Sequence, residues 1–229
     1  MAEFAPGIFE RTREKIRGPQ EVKFGNGLRM VASIHSPKPS IRLYRNRELL
    51  EDLRSFAPAG TIIKVDPKGR WAADIGGHTS KPVLTMGKFN GVDAVLDFLH
   101  ECGHLQDPVS TDLALTAENQ YTQQFFKEKS NNKNPERFRA LHTRNEAKLK
   151  SERNAWAFAI RIARQLDQRY KRYGSDIIKR MGGVDEVLKY VNGYVGRYEQ
   201  QTITELEYLG FDVYSKTQME ELLLAKMNQ

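Results

Sequence analysis

Residues 97–105, Asp97-Phe-Leu-His-Glu-Cys-Gly-His-Leu105, decide the reading of this 229-residue chain. On a helix, His100 and His104 stand one turn apart on one face, with Glu101 beside them. Two neutral imidazoles at that spacing supply two metal ligands, and the adjacent carboxylate can take a proton from a water that the metal activates. The pattern His-Glu-x-x-His therefore predicts a metal-dependent hydrolytic site, with zinc as the ion that suits it.

Outward from this stretch, Asn90 is a good N-cap and Asp93 favours the positive end of a helix dipole, so a helix is expected from near Gly91. Val92, Val95, Leu96, Leu99 and Cys102 form its buried stripe, and Gly103 would let another helix approach closely. Asp107-Pro108 should end or bend it. Upstream, β-branched Thr61–Asp66, the turn signal Pro67-Lys-Gly-Arg70 and Trp71–Ile75 predict a hairpin, with Pro82–Met86 as a third strand. Leu28–Ile34 reads as a short strand and Glu48–Phe56 as one or two helical turns. The fold class expected is α+β, a small mainly antiparallel sheet packed on the helix that bears the motif.

Downstream, helix is expected at 117–129 and 136–150 with a polar break at 130–135, and the whole of 107–150 reads as a surface excursion. Ser151 is placed to cap a second core helix, residues 152–166, whose buried face carries Glu152, Ala155, Trp156, Ala159, Ile162, Ala163 and Leu166. A carboxylate heading an apolar stripe needs a cation, a hydrogen-bond network or a place at the rim. It is also favourable to the helix dipole with no metal at all. Segments 184–198, 202–209 and 218–227 are expected to be helical.

Cys102 is the single cysteine, which excludes an intramolecular disulfide and a four-cysteine zinc site, so any metal must be held by histidine and carboxylate. Cys102 itself reads as a small buried hydrophobe. A net charge of +7 leaves polyanions open as partners, but the basic residues are spread along the chain, and surface charge is favoured over a nucleic-acid site. No apolar run has the length of a membrane span or secretory signal, so a cytoplasmic protein without membrane association is expected.

The segments Leu99-His-Glu-Cys-Gly-His-Leu105 and Glu152-Arg-Asn-Ala-Trp-Ala-Phe-Ala159 resemble the two signatures of zincin metallopeptidases of the ImmA/IrrE type and related small gluzincins. There, a helix with His-Glu-x-x-His is followed by one with Glu-x-x-Ala-x-x-Phe-Ala. The resemblance implies Zn2+ held by His100, His104 and Glu152, Glu101 as general base, and a protein or peptide substrate. It covers the hairpin to Leu166 and implies a zincin-like core at 40–170 with an insertion at 107–150; residues 1–39, broken by prolines and glycines, read as an N-terminal arm, and 171–229 as a helical extension. The separation of His104 from Glu152 is longer than usual for the family, which leaves Glu146, with His142 behind it, as the alternative third ligand. The alternative function is a basic nucleic-acid- or protein-binding module that keeps the zincin-like core.

His35, His78 and His142 read as surface or structural residues, and Trp71 and Trp156 as core. Tyr170, Tyr173, Tyr190, Tyr194 and Tyr198 recur near helical spacing, and any one of them could donate to an oxyanion.

Overall fold

Residues 20–34, 36–66, 68–76, 80–127 and 134–227 are described by the structure, a computed structural model. His35, His78 and the first nineteen residues of the expected arm lie outside them. The fold is α+β, and the described residues form two small sheets followed by six α-helices.

The first sheet is an antiparallel meander of β1 (Gln20–Lys23), β2 (Leu28–Ser33), β3 (Ser40–Arg45) and β4 (Glu48–Asp52). Alternation places Leu28, Met30 and Ala32 of β2 on the core side, against Ile41 and Leu43 of β3. Residues 20–33, part of the segment read as an arm, are thus paired into a sheet. The helical reading of Glu48–Phe56 is corrected: β4 is a strand with Leu49 exposed, and only Leu53–Phe56 coils, as a 3-10 turn capped by Asp52.

The second sheet comprises β5 (Ile62–Val65), β6 (Ala72–Asp74) and β7 (Val83–Met86) in the order β5-β7-β6. The expected hairpin between the first two strands does not form. β7 runs between them, parallel to β5 and antiparallel to β6. The turn itself is where the sequence places it: Asp66 accepts hydrogen bonds from the backbone N–H groups of Lys68 and Arg70. Leu84 and Met86 of the central strand β7 are fully buried, whereas the flanking strands β5 and β6 bury little.

Helix α1 (Asp93–Gln106) begins two residues later than expected, and Val92, with no side-chain cap, precedes it in place of Asn90. It packs against β6, β7 and α3 (Pro135–Arg169). Pro108 ends α1 and also opens α2 (Pro108–Lys127), where a missing N–H is harmless. Asn134 caps α3, accepting from the Glu136 N–H at 2.9 Å with Pro135 at the first position, and the helix runs unbroken through Ser151. Two corrections follow. Ser151 is interior, not a cap, and 107–150 is no surface excursion. Tyr121, Phe138 and Leu141 from that stretch are buried with Ile203, Leu206, Met219 and Leu223 in a second apolar cluster.

The C-terminal part is helical: the single turn α4 (Ile177–Arg180), α5 (Val184–Tyr208) and α6 (Lys216–Met227). The two segments expected at 184–198 and 202–209 are one helix. Among the described residues no helix is long and apolar enough to cross a membrane.

Candidate metal centre

The pair on α1 meets one residue of α3. His100 Nε2 and His104 Nε2 are 3.1 Å apart, as the four-residue spacing dictates. Glu152 lies across them, with Oε2 3.2 Å from His100 Nε2 and Oε1 3.5 Å from His104 Nε2. Among the described residues this is the one group of three such side chains whose donor atoms converge. Glu146 is exposed and His142 half-buried, and neither joins it.

The approach that makes the triad possible happens at Gly103. A Cβ built there would stand 2.6 Å from the Ala155 carbonyl oxygen and 2.7 Å from its Cα, so α1 and α3 touch backbone to backbone between the ligand positions. One turn beyond Glu152, Trp156 stacks on His100 with ring centroids 4.1 Å apart and fixes that imidazole by packing. His104 is fixed by a hydrogen bond instead, its Nδ1 lying 3.2 Å from Ser151 Oγ. When Nδ1 carries the proton, the Nε2 lone pair is left facing His100 and Glu152. Ser151 is a residue that sequence reasoning missed, because it was taken for a helix cap.

These atoms fit a metal ion. Ligand bonds of ~2.0–2.1 Å at tetrahedral angles put donors ~3.3–3.4 Å apart, close to the 3.1 Å between the imidazole nitrogens and the 3.2 and 3.5 Å from each of them to one of the two Glu152 carboxylate oxygens. The donor set, two imidazoles and a carboxylate, is that of an open zinc site. His100 Nδ1 is buried with no hydrogen-bond partner, so the ring has no polar anchor other than the side that faces the triad. Cys102 is fully buried, and burial pushes its thiol well above the ordinary range, which removes it as a thiolate ligand.

The charges are arranged around Glu152. Burial opposes ionisation of its carboxyl, but the hydrogen bonds and charges of His100 and His104 outweigh that and hold it well below the usual carboxylate range. Burial lowers His100, whereas His104 is raised, burial being outweighed by Glu152, Glu101 and Asp107. Glu101 is buried beside the triad. Burial, with the charges of Glu152 and Asp97, pushes its carboxyl up to about 8 against the pull of His104. A carboxyl at that value holds and releases protons near neutrality.

Triad and Glu101 open into a cleft of about 680 Å³ between β6, α1, α2, α3 and α5. Of the five tyrosines, Tyr194 and Tyr198 line it. Tyr198 donates to Glu152 Oε1 at 2.9 Å, while Tyr170 is occupied with Leu50 and Glu51 on β4. Sequence spacing could not separate them, since all recur near helical spacing, although Tyr170 caps α3 and Tyr173 lies in a 3-10 turn.

Asp97, one turn before Glu101, also borders the cleft and accepts from Tyr190 at 2.9 Å. Burial raises its carboxyl to about 6, only partly offset by Tyr190. The folded state therefore binds this proton more tightly than the unfolded chain, and stability falls as pH rises from about 4 to about 6. At ~1.4 kcal/mol per pH unit the loss above pH 6 is about 3 kcal/mol at most. Asp97→Asn, which can still accept from Tyr190, should raise the denaturation midpoint of the metal-free protein at pH 7.5 and flatten its dependence between pH 4 and 6. An unchanged midpoint and slope in urea titrations would refute this placement.

Comparison with known proteins gives no match: no family model, curated protein or solved structure is similar to this chain.

Proposed function

We propose that the protein is a cytoplasmic zinc metallopeptidase, built on a zincin-like core of the kind its two sequence signatures resemble. The observation that carries the reading is the convergence of His100, His104 and Glu152 at ligand spacing, with Glu101 buried next to them in an open cleft. Such residues on two packed helices could also form a structural ion network. The cleft and the unpaired, proton-ready Glu101 favour catalysis over that reading.

Zn2+ bound there would polarise a substrate carbonyl and make water acidic enough to attack at neutral pH. The chain supplies the rest. Glu101 takes the proton from the attacking water and delivers it to the departing amine. Tyr198, already donating to Glu152, can turn the same hydroxyl to the oxygen that gains charge. Ala72 and Ala73 line the cleft from β6, an edge strand whose open side offers backbone hydrogen bonds to an extended peptide.

Two measurements test this. Protein purified without chelator should carry one zinc per chain, and the count should drop to zero in Glu152→Ala. The zinc-loaded protein should cleave members of an internally quenched peptide library, with cleavage abolished by a chelator and restored by zinc. Absence of stoichiometric zinc, or a loaded protein that cleaves nothing, would overturn the proposal.

A further inference from the structure

Among the described residues three cationic arginine and lysine side chains border the cleft: Arg70, Lys148 and Arg197. Two are neutralised on the spot. Arg70 Nε donates to Asp66 Oδ2 at 2.9 Å, and Lys148 is ion-paired with Glu118. Arg197, on α5, has no carboxylate at ion-pair distance among the described residues.

Unpaired surface arginines are ordinary on a basic chain, and most do nothing but keep it solvated. The position of Arg197 is what distinguishes it. Its guanidinium carbon lies 4.4 Å from the centroid of the Tyr194 ring, Tyr194 is 5.3 Å from Trp156, and Trp156 is 4.1 Å from His100. A continuous run of packed rings thus ties this cation to a residue of the triad. Stacking on Tyr194 restrains an otherwise mobile side chain and leaves its N–H edge free, in the planar fork that matches a carboxylate.

None of the described acidic groups of the cleft pairs with Arg197: Glu152 is engaged with the histidines, Glu118 with Lys148 and Asp97 with Tyr190, and Glu101 is buried beside the triad. Arg197 is thus the cleft cation left to meet a charged group of whatever enters the cleft. At ~3.3 Å per residue, four extended residues cover the run of rings from His100 to Arg197.

We propose that Arg197 receives a carboxylate of the substrate, so that the cleft selects peptides bearing an aspartate or glutamate side chain, or a free C-terminus, within about four residues of the triad. This rests on the peptidase reading above.

The test reads binding rather than turnover. Zinc-loaded protein is titrated calorimetrically with short alanine peptides that end in a hydroxamate, which anchors on the metal. Each carries one glutamate or its glutamine isostere at successive positions, and a parallel set presents a free carboxylate or its amide at the distal end. One carboxylate position should bind about tenfold more tightly than its neutral counterpart. The gain should fall below about twofold in Arg197→Gln and be intermediate in Arg197→Lys, which keeps the charge but not the fork. An interior glutamate or the terminal acid, whichever shows the gain, identifies the source. Equal binding of charged and neutral peptides by the wild type, or a gain that survives Arg197→Gln, overturns the proposal. A carboxylate preference without cleavage of any peptide would sink the peptidase reading and leave Arg197's role standing. Failure of every hydroxamate to bind would end both.

Discussion

Glu101→Gln should leave the zinc content unchanged and lower peptide hydrolysis by about 10³-fold, within the range of ~10²–10⁴ that a positioned acid–base group supplies. The fall should be in kcat, with KM little changed, because glutamine keeps the shape of the cleft and loses only the proton acceptor. A second readout goes the other way. The Glu101 carboxyl is raised by burial to about 8, so the metal-free fold binds that proton more tightly than the unfolded chain does. Its stability declines as pH rises from about 4.5 toward 8, by about 3 kcal/mol at neutral pH on the linkage relation. The neutral isostere removes that penalty, and the metal-free variant should unfold at higher denaturant concentration than the wild type at pH 7. Loss of activity through misfolding would move both readouts down together. Full hydrolysis by the variant, measured on any peptide the wild type cleaves, would dismiss Glu101 as the base.

The two histidines and Glu101 were legible because helical geometry forces them together: no tertiary fact is needed to place residues 100 and 104 on one face. Glu152 was legible as a carboxylate heading an apolar stripe and, as a ligand, through the resemblance of its segment to the second zincin signature, and its choice over Glu146 needed the packing of α3 on α1. The expected close approach at Gly103 is where that packing occurs. What local reasoning missed was set by distant partners. Ser151 has the chemistry of a helix cap, and nothing nearby shows that α3 continues back to Asn134 and turns the hydroxyl to His104. The insertion of β7 between β5 and β6 is a pairing at long sequence distance, which turn signals do not contain. Stretch 107–150 looked like a surface insertion because it is charged. Arg144 and Arg137 are nevertheless buried there, the first paired with Glu205 and the second lying over the Phe125 ring, so charge did not report exposure.

Gly103→Ala is expected to damage fold and metal site together, although alanine is the better helix former by about 1 kcal/mol. The added Cβ would meet Ala155 O at 2.6 Å and Ala155 Cα at 2.7 Å, both backbone atoms of a long helix that cannot swing aside as a side chain would. Relief to ordinary contact, at 3.4 Å or more, requires α1 and α3 to separate by roughly 0.8 Å. Metal–ligand distances tolerate about 0.2 Å, so a shift of that size detaches Glu152 from the histidine pair. Zinc affinity should weaken by at least about tenfold, and metal-free stability should fall by about 1–3 kcal/mol, the usual range for overpacking. Ala155→Gly in the same chain should not rescue it, because the clash is with backbone rather than with the Ala155 methyl. Gly196 on α5 supplies the contrast, since a Cβ there meets nothing within 4 Å. Gly196→Ala should therefore stabilise the protein by up to about 1 kcal/mol and leave zinc binding alone. Denaturant titrations and competitive zinc titrations of the two variants should diverge in sign. If Gly103→Ala behaved like Gly196→Ala, the contact between α1 and α3 could not be what brings Glu152 to the histidines.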